Sequence, residues 1–400
     1  MVKIELSKEI EEEHLLYFEE IILPLLKNLP QHKKLAFEHE KFAQYCNDNF
    51  VSIAIGKPKV LKELIQEVDE KFPKMKSELL NKGKKRKCKE NENEKTNTYS
   101  QNLQKCFGYK LFTDNIKLED YFKNRAKYLS SPSGQWITSN YNKNMTRYVH
   151  DAIREIFEDY QNEENGKLLL TNDVKKLVKT KGFSVTLANY NKIKQEFLPW
   201  SAYKLALKNN ITVCPYCNRQ YITPVFSDNG KVRGEFDHFY PKNKYPYLSM
   251  SLYNLIPSCS VCNSSLKGQK EFSIHDIHPY EENYNDLFDF YINPVDQANP
   301  RVEIEIHGKK EKETEKYLNM FQIEALYNYH SNQGIEMFEK SVIYSDSYVE
   351  ELLKNNPEIF QTEEELKALI YGYILDEKDI GKEAFGKLRR DVAKQLGLIE

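Results

Sequence analysis

The chain reads as a mainly helical protein, α+β overall, organised around one small zinc-braced core. Three observations predict this. Apolar residues recur at helical spacing through most of the chain, strand-like patterning is restricted to a few short runs, and two Cys-x-x-Cys pairs fall within a single stretch, residues 211–272. No other part of the sequence carries a comparable density of reactive side chains.

At 400 residues the chain is long enough for two or three domains, each with its own core. Aromatic residues are plentiful, with 27 Tyr and 21 Phe, and charged residues make up 30% of the chain. No apolar run reaches the length of a membrane span, and the acidic, helix-patterned start does not resemble a secretory signal. With seven cysteines, four of them in metal-type pairs, a reducing cytoplasmic compartment fits better than a disulfide framework. The net charge of −2 means that any nucleic-acid partner must be held by a local basic face.

Five segments follow in order. Residues 1–80 form a helical N-terminal region. Leu15, Phe18, Ile21, Ile22, Leu25 and Leu26 recur at helical spacing there, and Val60, Leu61, Leu64, Ile65 and Val68 do so again. Residues 81–100 are a polar linker or loop, whose basic half (84–89) is followed at once by Glu90, Glu92 and Glu94. Residues 101–209 are helical. An amphipathic stripe runs from Met145 to Tyr160 with His150 off it, Thr171 or Asn172 caps a further short helix, and Trp200 and Tyr203 lead into the cysteine region. Residues 210–280 are the core. Residues 281–400 are mostly helical, with one alternating strand at 301–307, a capping box at Thr362-x-x-Glu365, and a last helix faced by Phe385, Leu388, Val392 and Leu396.

Cys214, Cys217, Cys259 and Cys262 are spaced as Cys-x2-Cys, 41 residues, Cys-x2-Cys, the pattern of a tetrathiolate zinc site. Four thiolates fill a tetrahedral ion, so this zinc is structural. Cys46, Cys88 and Cys106 lack such partners. Between the pairs, residues 232–238 should form a strand ending at Asp237-His238 and residues 253–257 a second strand, and just after the second pair Asn263 should open a helix.

This order of strand, strand and helix resembles the ββα-metal nucleases of the HNH family, on the residues Asp237, His238, Asn254 and Asn263. The resemblance implies that His238 is the general base activating water and that Asn254 orients it. It also implies that Asp237 and Asn263 hold one divalent metal on the scissile phosphate. The chemistry is consistent with that. A neutral imidazole near its ordinary pKa of about 6.5 takes a proton at physiological pH. One carboxylate and one carboxamide make a hard, open site suited to Mg²⁺ or Mn²⁺. Lys242, Lys244, Lys267 and Lys270 add local charge and are the expected phosphate contacts, with Lys267 foremost. Tyr240, Tyr245 and Tyr247 are more simply read as loop packing, and His275, His278 and His307 as structural or surface residues.

The run Cys-Pro-Tyr-Cys, Phe-Asp-His-Phe-Tyr-Pro-Lys, Tyr-Asn-Leu-Ile-Pro-Ser-Cys, Cys-Asn and Lys-Gly is similar to HNH nucleases of bacterial anti-phage defence systems, of the Septu and retron-associated type. That likeness covers residues 210 to the C-terminus and implies a separate ABC-type ATPase partner, since this chain has no Gly-x4-Gly-Lys-Ser/Thr loop. The expected activity is therefore metal-dependent phosphodiester hydrolysis, with DNA as substrate. The competing readings are a non-catalytic zinc-knuckle binding module and an RNA-cleaving, toxin-type nuclease restrained by its helical N-terminal part.

Overall fold

The computed structural model describes residues 3–26, 36–80, 99–113, 200–227, 230–268, 270–293 and 300–399. Helix α1 (Lys8–Tyr17) starts where Ser7, in extended backbone, accepts a hydrogen bond from the Ile10 N–H, and Glu9 and Glu11 sit in its first turn near the positive helix end. It runs on through a π-turn, Phe18–Ile22, into Leu23–Leu26, burying Ile10, Phe18, Ile22 and Leu26. Helices α2 (Ala36–Asp48), α3 (Phe50–Ile55), α4 (Pro58–Lys71) and α5 (Pro73–Leu80) follow. α4 opens with Pro58 at its first position and buries Leu61, Leu64, Ile65 and Val68, the stripe its periodicity predicts. Two short helices, α6 (Tyr99–Cys106) and α7 (Tyr109–Thr113), and then α8 (Ala202–Asn209), capped by Ser201, complete this half.

A hairpin, β1 (Val225–Ser227) with β2 (Gly230–Val232), precedes the antiparallel pair β3 (Glu235–His238) and β4 (Leu255–Ser258). Asp237 lies opposite Ile256, and His238 opposite Leu255. The predicted strand 232–238 is thus broken, with Val232 in β2 and β3 beginning at Glu235. Gly234 makes the break: a Cβ there would stand 2.9 Å from the Ile222 Cβ and 3.1 Å from the Ser258 carbonyl oxygen. The second strand is also shifted, because Leu252–Asn254 forms a 3₁₀ turn before β4. The π-helix Val261–Lys267 follows, and Asn263 is its third residue rather than its opening one.

Strands β5 (Phe288–Ile292) and β6 (Val302–Ile306) pair antiparallel. They are followed by α9 (Glu311–Met320), α10 (Ile323–Asn328), α11 (Asn332–Ile343), α12 (Asp346–Asn355), α13 (Glu363–Tyr371) and α14 (Gly386–Gln395). α14 docks on the open edge of β5. Asp391 and Gln395 accept the Phe290 and Ile292 N–H groups at 2.9 and 3.0 Å, standing in for a missing strand. In the capping box, Thr362 accepts from the Glu365 N–H, while the Glu365 carboxylate reaches the N–H of Gln361, one residue before the cap.

The protein is mainly helical with small two-stranded sheets among the described residues, and one hydrophobic core runs from Ile4 to Ala393. Among the described residues no helix is long and apolar enough to cross a membrane. The stripe from Met145 to Tyr160, the cap at Thr171 or Asn172, and Lys84, Lys89 and Cys88 lie outside the described residues.

Candidate active site

The two Cys-x-x-Cys turns meet. The sulfurs of Cys214, Cys217, Cys259 and Cys262 all lie within 4.8 Å of one another, and all four residues are buried. The Cys217 and Cys259 sulfurs are 4.0 Å apart, close to the ~3.8 Å edge of a tetrahedron with 2.3 Å Zn–S bonds. The first turn is closed by the Asn218 N–H on the Cys214 carbonyl at 2.8 Å, and Asn218 itself adopts a left-handed φ of 45°. Backbone N–H groups of Cys259 and Cys262 point at the sulfurs of Cys214 and Cys259 at 3.3 and 3.4 Å. Burial pushes the Cys214 thiol well above its ordinary range, while hydrogen bonds from neighbouring thiols hold Cys259 below it. Four buried sulfurs brought this close suit one divalent cation, which would hold them as thiolates. The group can hold a structural metal such as zinc.

From this clamp the chain reaches the Asp237 carboxylate directly. Tyr216, between the first two cysteines, donates its hydroxyl to Asp237 Oδ2 at 2.7 Å. Its ring stacks on Phe321 at 4.4 Å, and its carbonyl accepts from the Tyr317 hydroxyl. Asp237 also accepts from Lys267 Nζ, at 2.6 Å to each oxygen, and the same ammonium donates to the His238 carbonyl at 2.7 Å. Lys267 is 4% exposed, so it balances Asp237 inside the protein. Its expected place on a solvent-side phosphate is thus corrected: the π-helix turns it inward.

His238 is 7% exposed. Its Nε2 lies 2.9 Å from the Ser249 carbonyl. A carbonyl can only accept, so Nε2 carries the proton and Nδ1 keeps the lone pair. Burial first, then the nearby Lys242 charge, lower its pKa from 6.5 to about 3, against the pull of the Ser249 hydrogen bond. The ordinary pKa expected from sequence is therefore corrected: the imidazole is neutral at all physiological pH, and a weaker base than a free one. The edge of the Tyr109 ring, from α7, packs on it with centroids 4.4 Å apart. The Lys242 ammonium stands 4.4 Å over that same tyrosine ring.

Asn254 is fully buried but does not touch the imidazole. Its Nδ2 donates to the Tyr240 and Leu248 carbonyls at 3.1 and 2.9 Å, and its Oδ1 accepts the Tyr240 N–H at 2.7 Å. Its hydrogen bonds close the loop between Tyr240 and Leu248, so any orienting of His238 runs through that loop. Asn263 donates to Glu235 Oε2 at 2.8 Å, beside Ser264 at 2.9 Å. That leaves the carboxamide oxygen, the atom a hard cation takes. Glu235 and Asp237 alternate onto the same face of β3, so a third oxygen donor stands beside the predicted two. These oxygens fit Mg²⁺ or Mn²⁺ in kind, with Lys267 as the cation that already neutralises Asp237.

Of the other lysines, Lys244 pairs with Glu271 at 3.5 Å and Lys270 is exposed. His275 is exposed, and His278 is buried with its ring 4.0 Å from Phe239, as structural roles require. Trp200 and Tyr203 are buried: Trp200 bonds to α1, and Tyr203 lies under Arg233 at 5.3 Å. Tyr109, Tyr216 and Glu235 were not legible in the sequence as site residues. Tyr216 had a signal, its place inside the first cysteine pair, whereas Tyr109 had none.

No family model matches the chain, and no solved structure matches it. A stretch of 78 residues is 35% identical to protein ea31 of Escherichia phage lambda, which is 20% of this chain and 23% of that protein. The chain thus shares about a quarter of the length of this relative.

Proposed function

We propose that this chain is a metal-dependent endonuclease of the HNH type, hydrolysing phosphodiester bonds of DNA, with the cysteine clamp as its structural zinc site. One observation carries the reading: a buried, neutral imidazole at the end of β3 has its Nε2–H held by the Ser249 carbonyl, which leaves Nδ1 as a proton acceptor on the residue that follows the Asp237 carboxylate in the strand. In that chemistry a water oxygen attacks phosphorus, its proton passes to Nδ1 of His238, and the bond from phosphorus to the leaving oxygen breaks. A divalent cation on Asp237 and Asn263, with Glu235 within its reach, would supply the charge relief on the phosphate. Lys242, which lies over Tyr109 and close enough to His238 to lower its pKa, is the lysine this reading assigns to the same phosphate. An anion drawn to it would cancel the second cause of the low His238 pKa, so substrate binding would strengthen the base. Service as the effector of an anti-phage system, with an ABC-type ATPase as partner, is the cellular role that the sequence resemblance supports.

The test is nicking of supercoiled plasmid with Mg²⁺. His238→Ala should keep its zinc and lose cutting by at least about 10²-fold, the usual worth of a general base. Equal turnover by the variant would remove His238 from the mechanism and favour a non-catalytic zinc-knuckle module.

A further inference from the structure

Three successive peptide carbonyls between the strands of the site are each held by a side chain. Leu248 O accepts from Asn254 Nδ2 at 2.9 Å, Ser249 O faces His238 Nε2 at 2.9 Å, and Met250 O faces His14 Nε2 at 2.7 Å. The middle carbonyl orients the base. The outer two are pinned by an asparagine of the core and by a histidine of α1, 236 residues away in sequence.

His14 is built for this contact. It is fully buried, and its Nδ1 accepts the Trp200 indole N–H at 3.1 Å. An indole nitrogen only donates, and a carbonyl only accepts, so both ring nitrogens of His14 have defined roles and the Nε2–H tautomer is imposed. The ring is further wedged edge-on against Phe112 and Trp200, with centroids at 6.3 and 6.0 Å. The neighbouring hydroxyls give no such support. Ser249 Oγ and Ser251 Oγ are buried and have no hydrogen-bond partner, so they do not fix the peptide planes around them. α1 also grips the turn that follows, where the Tyr253 hydroxyl donates to Glu11.

We propose that His14 is a positioning residue of the active site. By holding Met250 O it fixes the adjoining peptide, keeps Ser249 O aimed at His238 Nε2, and so keeps the lone pair of the base on Nδ1. The catalytic part of this inference rests on the nuclease reading above. It also gives the N-terminal helices a functional role, as one wall of the site.

The experiment compares His14→Phe, which keeps a ring but no donor, with His14→Gln, which returns an N–H at similar reach. Three quantities are measured on the full chain: bound zinc, kcat and KM for plasmid nicking with Mg²⁺, and the His238 tautomer from long-range ¹H–¹⁵N correlations of the imidazole. His14→Phe should keep its zinc, show His238 as a tautomer mixture, and lose kcat by about 10-fold at nearly constant KM, the size seen when the partner of a functional histidine is removed. His14→Gln should recover most of both. A single Nε2–H tautomer and unchanged kcat in His14→Phe overturn the proposal, and so does a His14→Gln no better than His14→Phe. If His14→Phe loses its zinc through misfolding, Trp200→Phe takes its place, since it removes only the donor that fixes the His14 tautomer. A shift of the His238 tautomer in that variant supports the proposal, and none overturns it. Should the wild type fail to cut at all, the nuclease reading falls, while the tautomer comparison still decides the role of His14.

Discussion

The cysteine clamp and the loop that holds His238 belong to the same 60-odd residues, yet they are held from different sides. The clamp's ligands sit in two tight turns, closed by near neighbours such as Cys214 N–H to Gln220 O at 2.9 Å and braced by the C-terminal half through the Tyr317 and Tyr327 hydroxyls on the Tyr216 and Cys217 carbonyls and the Phe385 N–H on the Asn218 carbonyl. The loop is held from afar. His14 and Glu11 come from α1, Ser100 and Gln104 of α6 donate to the Asn243 and Lys242 carbonyls at 2.7 and 3.0 Å, and Tyr109 of α7 lies on His238 itself. A short segment can thus carry its own metal brace and still depend on the rest of the chain for its reactive geometry.

The sharpest way to break this contrast is to remove one thiolate. Cys259→Ser should shed bound zinc and unfold the β3–β4 unit, because such sites contribute on the order of 10 kcal/mol, comparable to a typical domain's whole stability. Metal content and thermal melting read this together. A variant that melts like the wild type without zinc would show that the distant contacts alone hold the core.

Asp237→Ala comes next. It should keep zinc, since Asp237 meets the clamp only through the Tyr216 hydroxyl, but it leaves the Lys267 ammonium buried and unpaired. Breaking such a pair costs about 3–5 kcal/mol, so melting should fall along with activity, and Asp237→Ala with Lys267→Met should regain most of the stability but none of the cutting. The sequence resemblance assigned Asp237 only the role of a metal ligand. Loss of zinc in the single variant would merge the two sites into one.

A smaller effect separates the regions by pH. Burial, partly offset by the bond to Met250 O, lowers the His14 pKa from 6.5 to about 4, and burial lowers that of His278 well below 6.5. Both stay neutral in the folded chain while the unfolded chain takes up protons below about pH 6.5. Their contribution is complete above pH 6.5 and is lost as pH falls towards 4. For His14 alone the loss is on the order of 3 kcal/mol at 1.36 kcal/mol per pH unit. Denaturant midpoints from pH 7.5 to 4.5 measure it, and His14→Phe should flatten the slope.

The smallest change expected is Tyr109→Phe. The hydroxyl reaches only the Phe236 carbonyl, at 3.5 Å, while the ring makes the contacts with His238 and Lys242. Stability and nicking should stay within about 1 kcal/mol of wild type, the range of one neutral hydrogen bond. A larger loss would place the phenol, and not the ring, at the centre of the contact.

The cysteine spacing, the stripe Leu61–Leu64–Ile65–Val68 and the capping box at Thr362 were legible because each is a short-range rule: one tight turn, one helix face, one cap. The order β3, β4 and helix could also be read, since Asp237-His238 and Asn254 are separated by little more than a loop. Where the side chains point could not. Lys267 turns inward because Asp237 offers it a buried carboxylate, and the carbonyl that orients His238 is set by an imidazole from α1. Local spacing determines which residues can share a metal or a helix face. Only the packed tertiary structure decides which charges are neutralised, which tautomer is imposed and what covers the His238 imidazole, because those depend on groups brought together from distant parts of the chain.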